Sequence, residues 1–177
     1  EMLPQTLERQ KTKTVFESWD KHQLAKEKGY YNQFGRNTLQ RNLGGEKFLD
    51  LGRQAGVAAT EWSWGALMFD ADNDGLRDIY ISNGIYKDLL DQDFLAYEAN
   101  DETIKSRVAK KEENIIKTLI DKMPSQAIPN SAYKNLGNFN FTDASTKWGL
   151  NASSYSNGSA YGDLDNDGDL DLVVNNI

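Results

Sequence analysis

Two nine-residue stretches, DADNDGLRD at residues 70–78 and DLDNDGDLD at residues 163–171, share the pattern D-x-D-N-D-G-x-x-D. They begin 93 residues apart, and each has aspartate at positions 1, 3, 5 and 9. Carboxylates this close together repel one another unless a cation neutralises them, and Ca2+ accepts about six to eight hard oxygen ligands. Glycine at position 6 permits the sharp turn that such a loop requires. We therefore interpret both stretches as calcium-binding loops.

The residues that follow each loop distinguish it from an EF-hand, which opens with a similar pattern. An EF-hand needs an acidic ligand at position 12 and helices on both sides, whereas this chain has Ile81 and Val174 at that position. The apolar, β-branched residues directly after position 9 favour strands. Each loop is therefore predicted to join two strands. The alternative interpretation is an acidic, solvated turn that binds no metal.

The predicted ligands of the two Ca2+ sites are the side chains at positions 1, 3, 5 and 9 and the carbonyl oxygen at position 7. The aspartates are Asp70, Asp72, Asp74 and Asp78 in the first site, and Asp163, Asp165, Asp167 and Asp171 in the second. The carbonyl groups belong to Leu76 and Asp169.

The similarity between the two regions extends well beyond the loops. Residues 37–84 align with residues 130–177 without a gap, and 17 of the 48 positions are identical. A repeat of this size that contains several short strands suggests stacked or radially arranged sheets. Four strands are predicted in each copy, at 37–42, 46–51, 65–70 and 78–83 in the first and at 131–136, 139–144, 158–163 and 171–176 in the second.

The loop pattern resembles a known family of repeats. With a Gly-Ala or Gly-Ser step at residues 65–66 and 158–159, it is similar to the FG-GAP or VCBS repeat, which also occurs in integrin α-chain propellers. The stretches WSWGA at 62–66 and YKDL at 86–89 resemble the bacterial ASPIC/UnbV group, which is similar to cartilage acidic protein. The resemblance covers roughly residues 30–177. It implies a β-propeller that binds Ca2+ in inter-strand loops through the aspartates named above.

Two repeat copies supply about two four-stranded blades, whereas a closed propeller needs several. We therefore expect a mainly β fold, a partial β-propeller with a helical insertion and a partly helical N-terminal segment, and we expect the chain to be a fragment of a longer protein. The predicted divisions are the N-terminal segment 1–36, the first repeat copy 37–84, the insertion 85–129 and the second repeat copy 130–177.

The two segments outside the repeat are predicted to contain helices. In the insertion, Asn100 can start a helix whose apolar residues recur at helical spacing as far as Met123, and Pro124 ends it. An earlier apolar cluster around Phe94 predicts a shorter helix. The basic side of the longer helix either binds a partner or remains solvated while the insertion caps a blade. The N-terminal segment has a weak helical pattern through Leu7, Val15, Phe16, Trp19 and Leu24.

Five aromatic residues near the start of the first copy leave two interpretations open. They form a platform on which sugars stack, or they are buried between blades, where large aromatic side chains supply core area. Burial is the expected outcome. The residues are Tyr30, Tyr31, Phe34, Trp62 and Trp64.

Composition excludes several classes of function. The formal net charge of −7 argues against a nucleic-acid partner. With no cysteine and one histidine, the chain offers neither a cysteine nucleophile nor a credible Ser-His-Asp triad. No apolar run is long enough for a transmembrane segment. Calcium at millimolar levels is found outside the cytoplasm, so we expect a secreted, periplasmic or cell-surface location associated with the outer membrane.

These observations support two functional hypotheses. The first is a non-catalytic, calcium-stabilised binding scaffold, adhesion-like, whose partner is a protein or a glycan within an outer-membrane or surface complex. The second is a glycan-binding or polysaccharide-degrading enzyme component whose active site lies outside this chain.

Overall fold

A computed structural model describes residues 2–13, 19–32 and 34–177. The chain divides into two compact units. The strand unit comprises Glu1–Gln5, Arg36–Tyr86 and Ser125–Ile177, and the helical unit comprises Thr6–Gly35 and Lys87–Pro124. Within the described ranges, every strand belongs to the strand unit and every helix to the helical unit. The fold is mainly β, as expected.

The strand unit contains eleven strands among the described residues. They are β1 (Met2–Leu3), β2 (Gln40–Gly44), β3 (Lys47–Asp50), β4 (Glu61–Phe69), β5 (Asp78–Asn83), β6 (Ile128–Pro129), β7 (Ser131–Asn135), β8 (Phe141–Asp143), β9 (Ser153–Ser154), β10 (Ser156–Gly162) and β11 (Asp171–Asn176). A curled antiparallel sheet has the order β1-β4-β5-β7-β8, and we call it the central sheet. Strands β2-β3, β6-β9 and β10-β11 form separate two-stranded pairs.

Both acidic loops join strand to strand, as predicted. The first connects β4 to β5 and the second connects β10 to β11, each in an antiparallel hairpin. The two hairpins have the same register, because Met68 faces Ile79 in one and Tyr161 faces Leu172, 93 positions later, in the other. Strands β5 and β11 have the bounds predicted from their β-branched and apolar runs.

The sheet does not coincide with one copy of the repeat. Strand β5, from the first copy, pairs with β7 from the second, and β7 pairs with β8. The long insertion between β5 and β7 belongs mainly to the helical unit, so the two strands become neighbours despite their separation in sequence. The described strands give this one central sheet and separate two-stranded pairs, and the predicted count of about two four-stranded blades remains a proposal.

Opposite faces of the central sheet contribute to two apolar clusters. The loop residues Ala55 and Val57 pack on one face. The β10-β11 hairpin packs on the other face, where the rings of Phe69 and Tyr161 stack with centroids 4.7 Å apart. All six residues of β5 are buried because both faces of this strand are covered.

The helical unit has five helices in its described residues: α1 (Leu7–Lys13), α2 (Trp19–Glu27), α3 (Gln92–Tyr97), α4 (Asp101–Ala109) and α5 (Ile115–Lys122). The predicted residues Val15 and Phe16 lie outside the described ranges. None of the helices described here has the length and apolar character needed to cross a bilayer.

The start of the insertion helix is confirmed, but the prediction of one continuous helix is wrong. The Asn100 side chain accepts a hydrogen bond from the Thr103 amide at 2.8 Å and caps α4. The helix ends at Ala109, and α5 begins only at Ile115. Lys111 and Asn114 adopt positive φ angles of 55° and 58°. The charged residues between the helices offer no apolar face whose burial would stabilise another helical turn.

The predicted burial of the five aromatic residues between blades is also wrong for most of them. Tyr30, Tyr31 and Phe34 are exposed and belong to the helical unit rather than to the sheets. Trp64 lies on β4 but is likewise exposed, whereas Trp62 is half-buried. The sequence pattern did not separate these positions, because aromatic side chains occur in both cores and binding surfaces.

Candidate metal centre

Backbone hydrogen bonds to the first aspartate hold each acidic loop in a tight turn. In the first loop, Asp70 accepts from the amides of Asp74 and Gly75 at 3.1 Å and 2.8 Å. In the second, Asp163 accepts from the amides at the same two positions, at 3.2 Å and 3.1 Å. The repeated sequence therefore produces a repeated loop geometry.

Positions 4 and 6 of both loops lie in the left-handed region of backbone space. The φ angles at position 4 are 57° for Asn73 and 62° for Asn166, and at position 6 they are 86° for Gly75 and 95° for Gly168. Glycine and asparagine tolerate this conformation better than other residues. Sequence reasoning assigned a role to the glycine but overlooked the asparagine, although its presence in both copies was a usable signal.

Three aspartates converge in each loop. Oxygen atoms of Asp70, Asp72 and Asp78 lie within 4.8 Å of one another, and the equivalent set in the second loop is Asp163, Asp165 and Asp171. The predicted residues at positions 1, 3 and 9 are thus brought together in both copies. Clustered carboxylate oxygens on a tight loop are the donor set that suits a hard divalent cation, so these residues fit Ca2+.

The side chains at position 5 are not part of these two clusters of carboxylates. Asp74 accepts a hydrogen bond from the Leu76 amide at 2.9 Å, and Asp167 accepts from the Asp169 amide at the same distance. Position 5 therefore orders the second half of each loop. Coordination by the side chains of Asp74 and Asp167, and by the carbonyl groups of Leu76 and Asp169, stays a prediction.

A direct contact connects the two loops. The Asn73 amide group donates to the Asp169 carboxylate at 2.5 Å, across 96 positions of sequence. Position 4 of the first loop thus touches position 7 of the second. The two acidic clusters are neighbours in the strand unit rather than independent surface features.

Burial distinguishes the two clusters. Asp78 is only 1% exposed and accepts hydrogen bonds from the amides of Asn135 at 2.7 Å and Ala71 at 3.0 Å. Burial raises the pKa of this carboxyl, the nearby carboxylates of Asp72 and Asp74 act in the same direction, and the two hydrogen bonds oppose them. The equivalent Asp171 is exposed and accepts from the Leu164 amide at 2.9 Å.

A lysine that sequence reasoning missed lies beside the first cluster. The Lys134 ammonium group contacts the carboxylate of Asp72 and donates to that of Asp74 at 2.7 Å. These contacts, first with Asp72 and then with Asp74, raise the pKa of Lys134, and the lysine in turn lowers the pKa of Asp74. Only the pairing of β5 with β7 brings Lys134 here, and the loop sequence does not reveal that pairing.

The comparison with known families identifies the second copy. A family model described as an FG-GAP-like repeat matches residues 125–174. The matched stretch contains the second acidic loop and reaches into β11. This match confirms the FG-GAP resemblance for that part of the chain. No curated protein sequence matches the chain.

Proposed function

We propose that both acidic loops bind Ca2+ and that the chain is a calcium-stabilised, non-catalytic binding scaffold. The observation that supports this most directly is the convergence of three aspartates in each of two loops with equivalent backbone hydrogen bonds. Each loop connects the strands of a hairpin, so a cation held there would stabilise that hairpin. Bound Ca2+ would supply positive charge that offsets the repulsion between the carboxylates.

Thermal unfolding with and without Ca2+ tests the proposal. At about ten times the dissociation constant, each site should add about 1.4 kcal/mol to the free energy of unfolding. The melting temperature should therefore rise by several degrees, and isothermal titration should give two ions per chain. Substitutions Asp72→Ala and Asp165→Ala should each remove one site. A melting curve that EDTA and Ca2+ leave unchanged, with no heat of binding, would contradict the proposal.

Lys134 gives a sharper prediction about the first site. Its ammonium group competes for the same carboxylates that a cation would neutralise, so Lys134→Gln should raise the Ca2+ affinity of that site by about fivefold. Calorimetric titration should show one strengthened site and one unchanged site. Lys147→Gln, at an exposed lysine elsewhere on the unit, is the control and should change neither. Equal affinities in the variant and the unmodified chain would rule out competition by Lys134.

The propeller architecture belongs to the same proposal. The central sheet is one blade. The β10-β11 hairpin packs on a face of this sheet and has the same strand register as the β4-β5 hairpin. It therefore begins the next blade. Membership of the ASPIC/UnbV group rests on the stretches at 62–66 and 86–89, and similarity to integrin α-chain propellers rests on the acidic loop pattern with its Gly-Ala or Gly-Ser step. Under this proposal the chain contributes blades to a radial array, and the insertion 85–129 separates two strands of one blade in the sequence.

The proposed setting is outside the cytoplasm, where millimolar Ca2+ would keep the loops loaded. A secreted, periplasmic or outer-membrane-associated scaffold would bind its protein partner in a surface complex, without catalysis by this chain. The aspartates that stand out in the sequence have structural roles in the loops, so they are poor candidates for proton transfer.

A glycan partner is the second candidate, supported by the exposure of aromatic residues in the helical unit. Tyr30, Tyr31 and Phe34 present rings to solvent within five positions of one another, and sugars bind to such surfaces by stacking. In that case the chain is a component of a polysaccharide-degrading system. A glycan array separates the two candidates, because a scaffold specific for protein partners would bind no glycan.

A further inference from the structure

The β4-β5 hairpin has two faces, which are defined by its cross-strand pairs. Ala66 faces Ile81 and Met68 faces Ile79, and we call this side the Met68 face. Leu67 faces Tyr80 on the opposite side, which we call the Leu67 face.

In the second hairpin, Ser159 faces Val174 and Tyr161 faces Leu172, which together form its Tyr161 face. This face packs against the Leu67 face of the first hairpin. Tyr161 stacks on Phe69, and Leu172 and Val174 pack against the cluster that contains Phe69 and Tyr80. The strand unit thus contains one well-defined contact between a Tyr161 face and a Leu67 face.

The repeat shows that the Met68 face is the counterpart of the Tyr161 face, since residues 66, 68, 79 and 81 align with 159, 161, 172 and 174 in the same pairing. No second hairpin of the described chain packs there. Ala55 and Val57 cover Ile79 and Ile81, and a cavity of about 200 Å3 remains beside Trp64 and Met68. These two side chains are 55% and 47% exposed.

The outer side of the second hairpin is also exposed. Ala160 faces Val173 on the outer side of the second hairpin, which we call the Val173 face, and the pair aligns with Leu67 and Tyr80. Val173 is 53% exposed. Gly158 aligns with Gly65, where an added Cβ would lie 3.4 Å from the Ser159 hydroxyl oxygen in the observed contact. A Cβ at Gly158 would meet only Asn175, at 3.8 Å, so this surface is open to close approach.

We propose that the Met68 face of one chain binds the Val173 face of a second copy, head to tail. The new contact would repeat the packing already present between the two hairpins, with the same strand register. The sizes of the side chains are complementary, because Trp64 and Met68 are large whereas Gly158 and Ala160 are small. The contact is heterologous, so each added copy exposes a further free face and association can continue. This inference does not depend on Ca2+ binding.

Sedimentation velocity of the full chain over a range of concentrations tests the proposal. We expect the average mass to rise with concentration. Met68→Asp and Val173→Asp should each yield a monomer, since a carboxylate would be desolvated without a partner in the contact. Leu136→Asp, at an exposed apolar residue at the end of β7, is the matched control and should associate like the unmodified chain. Thermal melting establishes that each variant is folded.

Mixing the two monomeric variants is the decisive arm of the experiment. Met68→Asp retains an intact Val173 face and Val173→Asp retains an intact Met68 face, so the mixture should form a one-to-one dimer that cannot grow further. Three results would overturn the proposal: a monomer at every concentration of the unmodified chain, association that both substitutions leave unchanged, or a mixture that stays monomeric.

Discussion

Replacing Asp78 with asparagine should lower the free energy of unfolding in metal-free buffer by about 3 kcal/mol. The carboxylate is almost fully buried and accepts from two backbone amides, those of Asn135 and Ala71. An asparagine can offer only one oxygen, so its NH2 group would face an amide donor. The NH2 group and the backbone amide would then face each other without an acceptor, in a buried position between the start of the loop and the neighbouring strand β7. Removing the charge also relieves the desolvation that raises the pKa of Asp78 and the repulsion from Asp72 and Asp74, which offsets part of this loss.

Asp171→Asn is the matched control, because the residue occupies the same position of the second loop. Its carboxylate is exposed and accepts from the Leu164 amide, so the substitution should cost less than about 1 kcal/mol without metal. In Ca2+, both variants should gain less stability than the unmodified chain. Urea unfolding in EDTA measures the difference. Equal losses for the two variants would show that burial and the Asn135 contact do not stabilise the strand unit.

The contrast between these aspartates shows how far the sequence alone could lead. The pattern D-x-D-N-D-G-x-x-D and the β-branched residues after it are local signals, and they led to the hairpins and to the three converging aspartates of each loop. The same pattern gave no reason to separate Asp78 from Asp171. Their difference arises because β7 covers the first loop and donates the Asn135 amide, which is a tertiary contact.

Pairing between distant strands explains the other misses as well. The sequence grouped four strands within each copy, but hydrogen bonds join β5 of the first copy to β7 of the second. The sequence of the intervening insertion does not indicate that the strands on either side of it will pair. Lys134 was overlooked for this reason, since it reaches Asp72 and Asp74 only through that pairing. The break between α4 and α5 has a different cause. The helical spacing of apolar residues across 104–123 does not take account of the charged residues between the two helices, which have no apolar surface to bury.

Gly84→Ala should have the largest effect of the substitutions considered, a loss of about 4 kcal/mol. Gly84 follows β5 with a φ angle of 144°, which is unfavourable for any residue with a Cβ. A Cβ there would lie 2.8 Å from the Tyr155 α-carbon and 2.9 Å from the Ser156 nitrogen. Both are backbone atoms where the chain enters β10, so no side chain can rotate away to make room. The two hairpins would have to separate.

Gly137→Ala provides the comparison that isolates this close approach. Gly137 also has a positive φ angle, 84°, but a Cβ at this position meets no atom within 4 Å. Its substitution should therefore cost only the backbone strain, about 1–2 kcal/mol. Urea unfolding of both variants separates steric overlap from strain. Gly84 lies where the end of β5 meets the backbone that leads into β10. Losses of equal size would therefore mean that the two hairpins are not packed as closely as the proposed blade contact requires.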